Sequence, residues 1–296
     1  MRLYKNIPFF FAIFLLFTAC VAAQTKSASF AVIDFETKQP IAFAPVLNLT
    51  QKNLTYSNES GIVDIPYGSI SDSIEICFIS FQCMKTSISY IQKLENKTIY
   101  LKQNPIILQT VNVYPTKKSQ TEIGYHKSKT DFKWGSGSGL IFANYFKNIY
   151  TNTPYVSRVF VDLNSSIKEK ANTLIRVRLF YPNLDGSPGK DLINDNLYYV
   201  VKRVQSKFEV NIDSLNITIP QNGIVVGLEI IGYYKRGKLE TSKKGTYTIG
   251  ICSTKDPNRS QIGSAWRYST FEKKWFSANF GLGKDTMFKI GLELSD

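Results

Sequence analysis

Between Asn172 and Tyr233 the chain alternates apolar and polar residues with a period of two, and that property leaves few folds open. In the run Thr173–Tyr181, Ile175, Val177, Leu179 and Tyr181 fall on one side and Arg176 and Arg178 on the other. A strand places successive side chains on opposite faces, so this is a strand with one buried face. Pro182–Gly189 supplies a turn, and the alternation returns at Phe208, Val210 and Ile212, then at Ile224, Val226, Leu228 and Ile230. So regular a sheet is a scaffold, and it carries no legible catalytic motif.

Short β-runs also fill the N-terminal part. Phe30–Asp34, Ile41–Leu49, Ile62–Ile65, Asp72–Phe81, Thr86–Tyr90 and Lys97–Leu101 read as strands, separated by turn residues at close spacing. About seven such strands predict an antiparallel sandwich. Residues 115–140 shift in composition. Thr116–Glu122 is polar and charged, and Lys133–Gly139 is glycine-rich, so the segment is expected to be a linker. Gly135, Gly137 and Gly139 lack the flanking strand, helix and Lys-Ser/Thr pair of a phosphate loop. From residue 141 onwards some nine strands with no helical period predict a jelly-roll-like β-sandwich. The expected division is therefore 1–23, 24–114, 115–140 and 141–296, in an all-β protein.

Residues 1–23 read as a signal peptide. Arg2 and Lys5 form a basic start, Phe9–Phe17 is an apolar stretch too short to span a bilayer, and Val21–Ala23 offers small residues for cleavage before Gln24. A loose lipobox at Leu16–Cys20 is the competing reading, with Cys20 lipidated. Loss of Arg2 and Lys5 takes the formal net charge from +13 to about +11. A basic balance favours anionic partners, and it equally describes a solvated basic protein. The mature chain keeps Cys77, Cys83 and Cys252, an odd count that leaves at least one thiol free or paired between molecules. Cys77 and Cys83 are close enough in sequence to bridge across a tight return.

The order Val32–Asp34, Thr37, Pro40-Ile41, Ala44–Val46, Asn58, Gly61, Ile65, Asp72–Ile76 and Ile79–Phe81, closed by Ile99–Leu101, Leu108 and Val111–Val113, resembles the carboxypeptidase regulatory-like domain. That family is a small transthyretin-like sandwich of exported Bacteroidetes-type proteins, and the resemblance covers about residues 28–114. It implies a seven-stranded transthyretin-like sandwich. Phe81-Gln82 departs from the Gly-Tyr that the family usually carries. In other proteins the module precedes a zinc carboxypeptidase or a TonB-dependent receptor. The former needs two histidines and this chain has only His126; the latter needs a larger barrel than the remaining chain supplies. Arg176–Tyr181, the Asp185–Gly189 turn, Phe208–Asp213 and Val226–Glu229 resemble the uncharacterised C-terminal sandwiches that accompany such modules, which implies fold and location but no activity.

Each candidate site has a plain structural alternative. Tyr233–Gly245 is the densest basic run. Lys235, Arg236, Lys238, Lys243 and Lys244, beside Tyr233 and Tyr234, suit an anionic polymer, or form a solvated loop whose lysines discourage edge pairing. Trp134, Trp266 and Trp275 are sugar-stacking platforms or core aromatics; Trp266 is flanked by Arg267 and Tyr268. Asn183–Asp191 has too few regular oxygen ligands for calcium and reads better as a hairpin turn. His126 has no second histidine with which to build a metal site or relay. No metal or cofactor is expected.

The expected function is an exported, non-enzymatic binding or assembly module at the periplasm or outer membrane. Its expected partner is an anionic glycan, a lipid head group or an outer-membrane protein; no nucleic acid is expected, nor integration in the membrane. The alternatives are a glycan-active enzyme using paired carboxylates and an accessory of an outer-membrane transport complex.

Overall fold

A computed structural model describes residues 26–104, 120–150, 154–163, 171–202, 205–241, 251–255, 262–278 and 286–295. The signal segment, Cys20, Gln24, the Leu108–Val113 run, Lys243 and Lys244 lie outside the described residues. The protein is all-β, and its sheets stack as two β-sandwiches.

The N-terminal sandwich holds β1 (Lys26–Asp34), β2 (Pro45–Asn48), β3 (Asn53–Tyr56), β4 (Ile62–Tyr67), β5 (Ser73–Ile76), β6 (Met84–Ser87), a short helix α1 (Ile88–Lys93) and β7 (Thr98–Leu101). These form two sheets, ordered β4-β1-β7 and β3-β2-β5-β6, with β1 and β7 parallel and the other pairs antiparallel. The alternation in β1 sends Phe30 and Val32 inward to meet Val46, Ile65, Ile74, Ile76 and Ile99. Thr86–Tyr90, expected as one strand, ends at Ser87. The Ser87 hydroxyl accepts from the Tyr90 backbone N–H and caps α1, whose Ile88 and Ile91, three apart, are both buried. Asp72–Phe81 is likewise cut short: the strand stops at Ile76, and a Cys77–Cys83 disulfide closes the loop beyond it. Among the described residues Cys252 is the free cysteine, and it is buried.

The second sandwich contains β8 (Gln120–Gly124), β9 (Phe132–Lys133), β10 (Leu140–Phe146), β11 (Tyr155–Asp162), β12 (Thr173–Pro182), β13 (Pro188–Asp191), β14 (Tyr198–Val201), β15 (Lys207–Asn211) and β16 (Ile224–Lys235). It continues with β17 (Lys238–Glu240), β18 (Cys252–Lys255), β19 (Ile262–Ser269), β20 (Lys274–Ser277), β21 (Thr286–Phe288) and β22 (Ile290–Ser295). From β10 onwards thirteen described strands exceed the nine expected, because short pieces such as β13 and β17 carry too few residues to show a period. The large sheet follows β13-β12-β16-β10-β19-β20, with β14 on β12 and β17 on β16; a second sheet runs β15-β11-β22-β8, and a small one β21-β18-β9. Ile175, Val177 and Leu179 pack with Val226 and Leu228 of their own sheet onto Val159, Val161 and Leu292 of the facing one.

Residues 120–140 are not the linker that their composition predicts. β8 pairs along β22 from Gly124↔Gly291 to Gln120↔Ser295, and β9 pairs with β18. Gly139 sits at φ +81, and a Cβ there would lie 2.4 Å from Leu54 of the N-terminal sandwich. Its N–H donates to the Ile230 carbonyl and its own carbonyl accepts from Thr270. Glycine serves here as a close-approach residue at a junction, where both the φ and the missing Cβ are needed. Trp134 packs against the second core, and its indole N–H donates to Ser253 Oγ at 2.7 Å. His126 stacks on Phe160 and pairs with Glu122 through Nε2 at 2.9 Å.

No sheet among the described residues takes strands from both sides of residues 105–119. The two sandwiches instead meet face to face. In the four-stranded sheet Val46 points to its own core, while Pro45, Leu47, Leu54, Tyr56 and Glu75 share the other face. That face lies over the side of the large sheet that carries Leu174, Arg176, Arg178 and Phe180, so four layers stack in all.

Candidate functional site: a cleft between the sandwiches

The two arginines assigned to the open side of β12 are enclosed, and they mark the place where the sandwiches join. Arg176 is 1% exposed. Its Nη1 donates to Glu229 Oε2 at 2.9 Å, its Nε to Asn196 Oδ1 at 2.7 Å and its Nη2 to the Phe43 carbonyl at 2.6 Å. Glu229 is the register partner of Arg176 on β16, so the pair is set by strand pairing. From the other sandwich the Tyr56 hydroxyl donates to Glu229 Oε1 at 3.0 Å, and Asn196 Nδ2 donates to the Ala42 carbonyl. Phe43 is at φ 58, a left-handed conformation costly for a bulky residue, and its ring packs edge-on against Tyr198 at 4.6 Å. Leu47, Leu54, Leu174 and Ile231 close an apolar patch around these polar groups.

Burial alone would raise the Glu229 carboxyl, but Arg176 and Arg178 outweigh it and hold the pKa below the ordinary value. Burial together with the Glu229 charge pushes the Tyr56 hydroxyl well up, so it remains a donor. The buried charges are thus paired and hydrogen-bonded, as burial requires.

Beyond this junction the two faces part and leave a cavity of about 710 Å3. One wall is the large sheet. Arg178 grips Asp191 of β13 through Nε at 3.0 Å and through Nη2 at 2.6 and 2.7 Å, lies 3.6 Å from Glu229 and covers the Phe180 ring at 4.8 Å. Burial opposes the Arg178 charge, and Asp191 and Glu229 more than restore it, so its pKa is raised. Tyr268 of β19 and Trp275 of β20 are direct cross-strand partners, with ring centroids 5.0 Å apart, and Trp275 meets Phe180 edge-on at 5.5 Å. Gly227 and Ala143 give Phe180 its room: a Cβ on Gly227 would sit 3.3 Å from that ring. The other wall is Pro45, Leu47 and Glu75 with the disulfide loop, which brings Phe78 and Phe81. Phe78 lies under the Arg176 guanidinium, and Ser80 Oγ donates to Asn194 Oδ1 across the gap at 2.7 Å. Lys273, in the turn from β19 to β20, ion-pairs with Glu75, as does Lys85 at 3.5 Å.

The sequence candidates divide accordingly. Tyr268 lines the cleft. Trp266, two residues before it on the same face, packs with Ala143, Phe180 and Val225 rather than in the cavity. Tyr234 contacts the N-terminal sandwich and its hydroxyl donates to Glu59 at 3.4 Å, so it is a junction residue. The expected basic loop is in its described part a hairpin: β16 runs to Lys235, Arg236 and Gly237 turn at φ 50 and 77, and Lys238 pairs back on Lys235. Two successive positive φ values make the tight turn whose twist fits a hairpin. Lys235, Arg236 and Lys238 are exposed there, apart from the cleft. Asn183–Asp191 is a hairpin too, with Gly186 at φ 78, Asp185 accepting from Ser187 and Asp191 committed to Arg178. No group of His, Cys, Asp or Glu among the described residues is arranged to hold a metal ion.

Arg176, Arg178, Glu229, Glu75, Phe78, Phe180 and Lys273 were not singled out as site residues from sequence, and Asp191 was weighed only as part of a calcium loop. One signal was present: in Ile224–Ile231 both alternate sets are apolar or glycine except at Glu229, the mark of a strand buried on both faces. A lone acidic residue in such a run needs a buried cationic partner.

Fold and site together define an all-β protein of two packed sandwiches with a ligand-sized cleft between them. No family model matches the chain, and no curated protein matches it. Among solved structures, those of infectious bursal disease virus strains Gx and Gt align over 91% of this chain, at 8% and 7% identity and TM-scores of 0.17 and 0.12. The chain spans 56% and 63% of those two chains, and similarity at that level carries no argument about this protein. No helix among the described residues is long and apolar enough to cross a membrane.

Proposed function

We propose that the protein is an exported, non-catalytic binding module that seats a small ligand in the cleft between its sandwiches. The observation that carries this is the cavity itself, about 710 Å3, walled by aromatics and polar groups from both halves. Small-ligand sites occupy roughly 300–1,000 Å3, favour domain interfaces and combine apolar walls with a few placed polar groups. Binding is favoured over acid–base hydrolysis by the state of the carboxylates. A glycosidase needs one carboxyl able to donate a proton. Glu229, Asp191 and Glu75 are each ion-paired, and Glu229 is held in its charged form. On the sequence resemblance residues 28–114 are read as a carboxypeptidase regulatory-like module, whose described four-stranded sheet and disulfide loop supply one wall of the binding site.

Thermal unfolding across a small-molecule library tests the seat without presuming a ligand, because a compound that binds the folded state raises the melting temperature. Lys190 is exposed on β13 and lines the cleft, so Lys190→Trp narrows the cleft without disturbing a core. Compounds that stabilise the wild type and not Lys190→Trp are expected. Hits that act equally on both, or none, would contradict the proposal.

A second contact is proposed at the β16–β17 hairpin tip, where Lys235, Arg236 and Lys238 crowd onto a two-residue turn. Like charges facing each other across a hairpin disfavour it slightly, and an anionic glycan or lipid head group relieves that repulsion.

A further inference from the structure

We propose that the cleft takes a neutral, hydroxyl-rich ring, a saccharide unit, stacked on the Trp275–Tyr268 wall and hydrogen-bonded by the Arg178–Asp191 and Lys273–Glu75 ion pairs. This rests on the cleft being the ligand seat and names what the seat accepts.

The charge pattern carries the inference. The chain is strongly basic, yet inside the cleft Arg176, Arg178 and Lys273 match Glu229, Asp191 and Glu75 one for one, and the surplus cation of the lining, Lys190, stands at the rim. Glu229 is met by Arg176 and Arg178, Asp191 by Arg178, and Glu75 by Lys273 and Lys85. An anionic ligand gains most by a forked pair with a free guanidinium. Arg178 already makes that fork with Asp191, and Arg176 is spent on Glu229, Asn196 and the Phe43 carbonyl. A ligand carboxylate would have to displace a carboxylate already in place. Lys190 is exposed at the rim, where a charge is solvated and screened.

Neutralised pairs are not spent as hydrogen-bonding groups. An ionised carboxylate offers about four lone-pair sites and a guanidinium five N–H groups, more than the mutual contacts consume. Each pair therefore presents an acceptor beside a donor. A hydroxyl both donates and accepts, so neighbouring hydroxyls on a ring match that arrangement, while an amine or a carboxylate matches half of it.

Ring shape follows from the aromatics. Trp275 and Tyr268 stand side by side on one wall, and Phe78 and Phe81 come from the other. Both walls thus present apolar surface, with the ion pairs set among it. A pyranose has the same division: C–H faces above and below, hydroxyls around the edge. Apolar faces bury against rings while the edge keeps its hydrogen bonds.

The test is calorimetric titration of the full mature chain with maltotriose, cellotriose, xylotriose, chitotriose, trigalacturonate and adenosine. Wild type, Trp275→Ala and Lys190→Trp are compared, with folding verified by circular dichroism. At least one neutral trisaccharide is expected to bind, to weaken tenfold or more in both variants, and to change less than twofold between 50 and 500 mM salt. Trigalacturonate or adenosine binding alone, lost in both variants, would overturn the neutral-saccharide class and leave the cleft as the seat. Binding unchanged in both variants would overturn the seat itself. Failure of every neutral probe to bind the wild type would overturn the proposal.

Discussion

Arg176 and Glu229 occupy the position where a single substitution has the most to disturb. Each is nearly inaccessible, and each reaches both sandwiches, Arg176 through the Phe43 carbonyl and Glu229 through Tyr56. Removing one partner of a buried ion pair leaves an uncompensated charge, at a cost of about 3–5 kcal/mol, whereas replacing both by apolar groups of similar volume is often neutral. Arg176→Met is therefore expected to lower the unfolding free energy by about that amount, and Arg176→Met combined with Glu229→Leu by clearly less; urea titrations of the two measure it. The pair also sets an acid dependence. Because the folded pKa of Glu229 is lowered, its contribution is fully present above the unfolded value of about 4.3 and is lost as pH falls through the lower folded value. Melting temperatures between about pH 3 and pH 6 should therefore fall less steeply for Glu229→Gln than for the wild type. Parallel curves would show that the carboxylate does not couple folding to pH.

At the scale of elements, the disulfide loop and the β16–β17 hairpin make separable predictions. Cys77–Cys83 closes a short loop whose Phe78 and Phe81 form one cleft wall. Closing so short a loop is worth about 2 kcal/mol through the unfolded chain. The Cys77→Ser, Cys83→Ser double variant should lose about that much stability and, by freeing the wall, bind any cleft ligand more weakly. At the hairpin, replacing Lys235, Arg236 and Lys238 by Ser should change stability by less than about 0.5 kcal/mol, since surface charges contribute little. The same change should abolish salt-sensitive binding to anionic vesicles or glycans. Equal, salt-insensitive binding by both forms would leave the tip as a solvated turn. Elements also show what the sequence discloses. Strands of six or more residues, such as β11, β12 and β16, were legible because their apolar residues are numerous enough to mark a face on a continuous core. The helix α1 was not, since six residues with a good cap look like the end of a strand. Nor was the role of Gly139: glycines in a polar stretch signal flexibility, and only the approach of Leu54 reveals a packing need.

For the whole molecule, composition and alternation gave the all-β class and the sandwiches, while the cleft was hidden because it is made by the contact between them. Period-two patterning assigns a side chain to one face or the other but does not say whether a second sheet covers that face. Arg176 and Arg178 were therefore legible as the side away from the core and illegible as a buried junction. Tyr268 and Trp275 were legible as aromatics and not as cross-strand partners, since β19 to β20 pairing depends on a turn of few residues. The stacking also predicts cooperation. With Leu54, Leu174 and Ile231 shared between the halves, Leu54→Ala should cost about 2–5 kcal/mol and loosen the joint as well as the N-terminal sheet. Export remains a proposal at this scale: intact-mass measurement should place Gln24 first, and an acylated Cys20 would replace that with a lipid anchor.

Hydrogen exchange of the mature protein, with and without a saturating ligand found in the titrations, tests the seat most directly. Simultaneous protection is expected of Cys77–Cys83 from one sandwich and of Arg178–Phe180 and Tyr268–Trp275 from the other, with the Arg236-Gly237 turn unchanged. Protection confined to one sandwich, or to the hairpin tip, would contradict it.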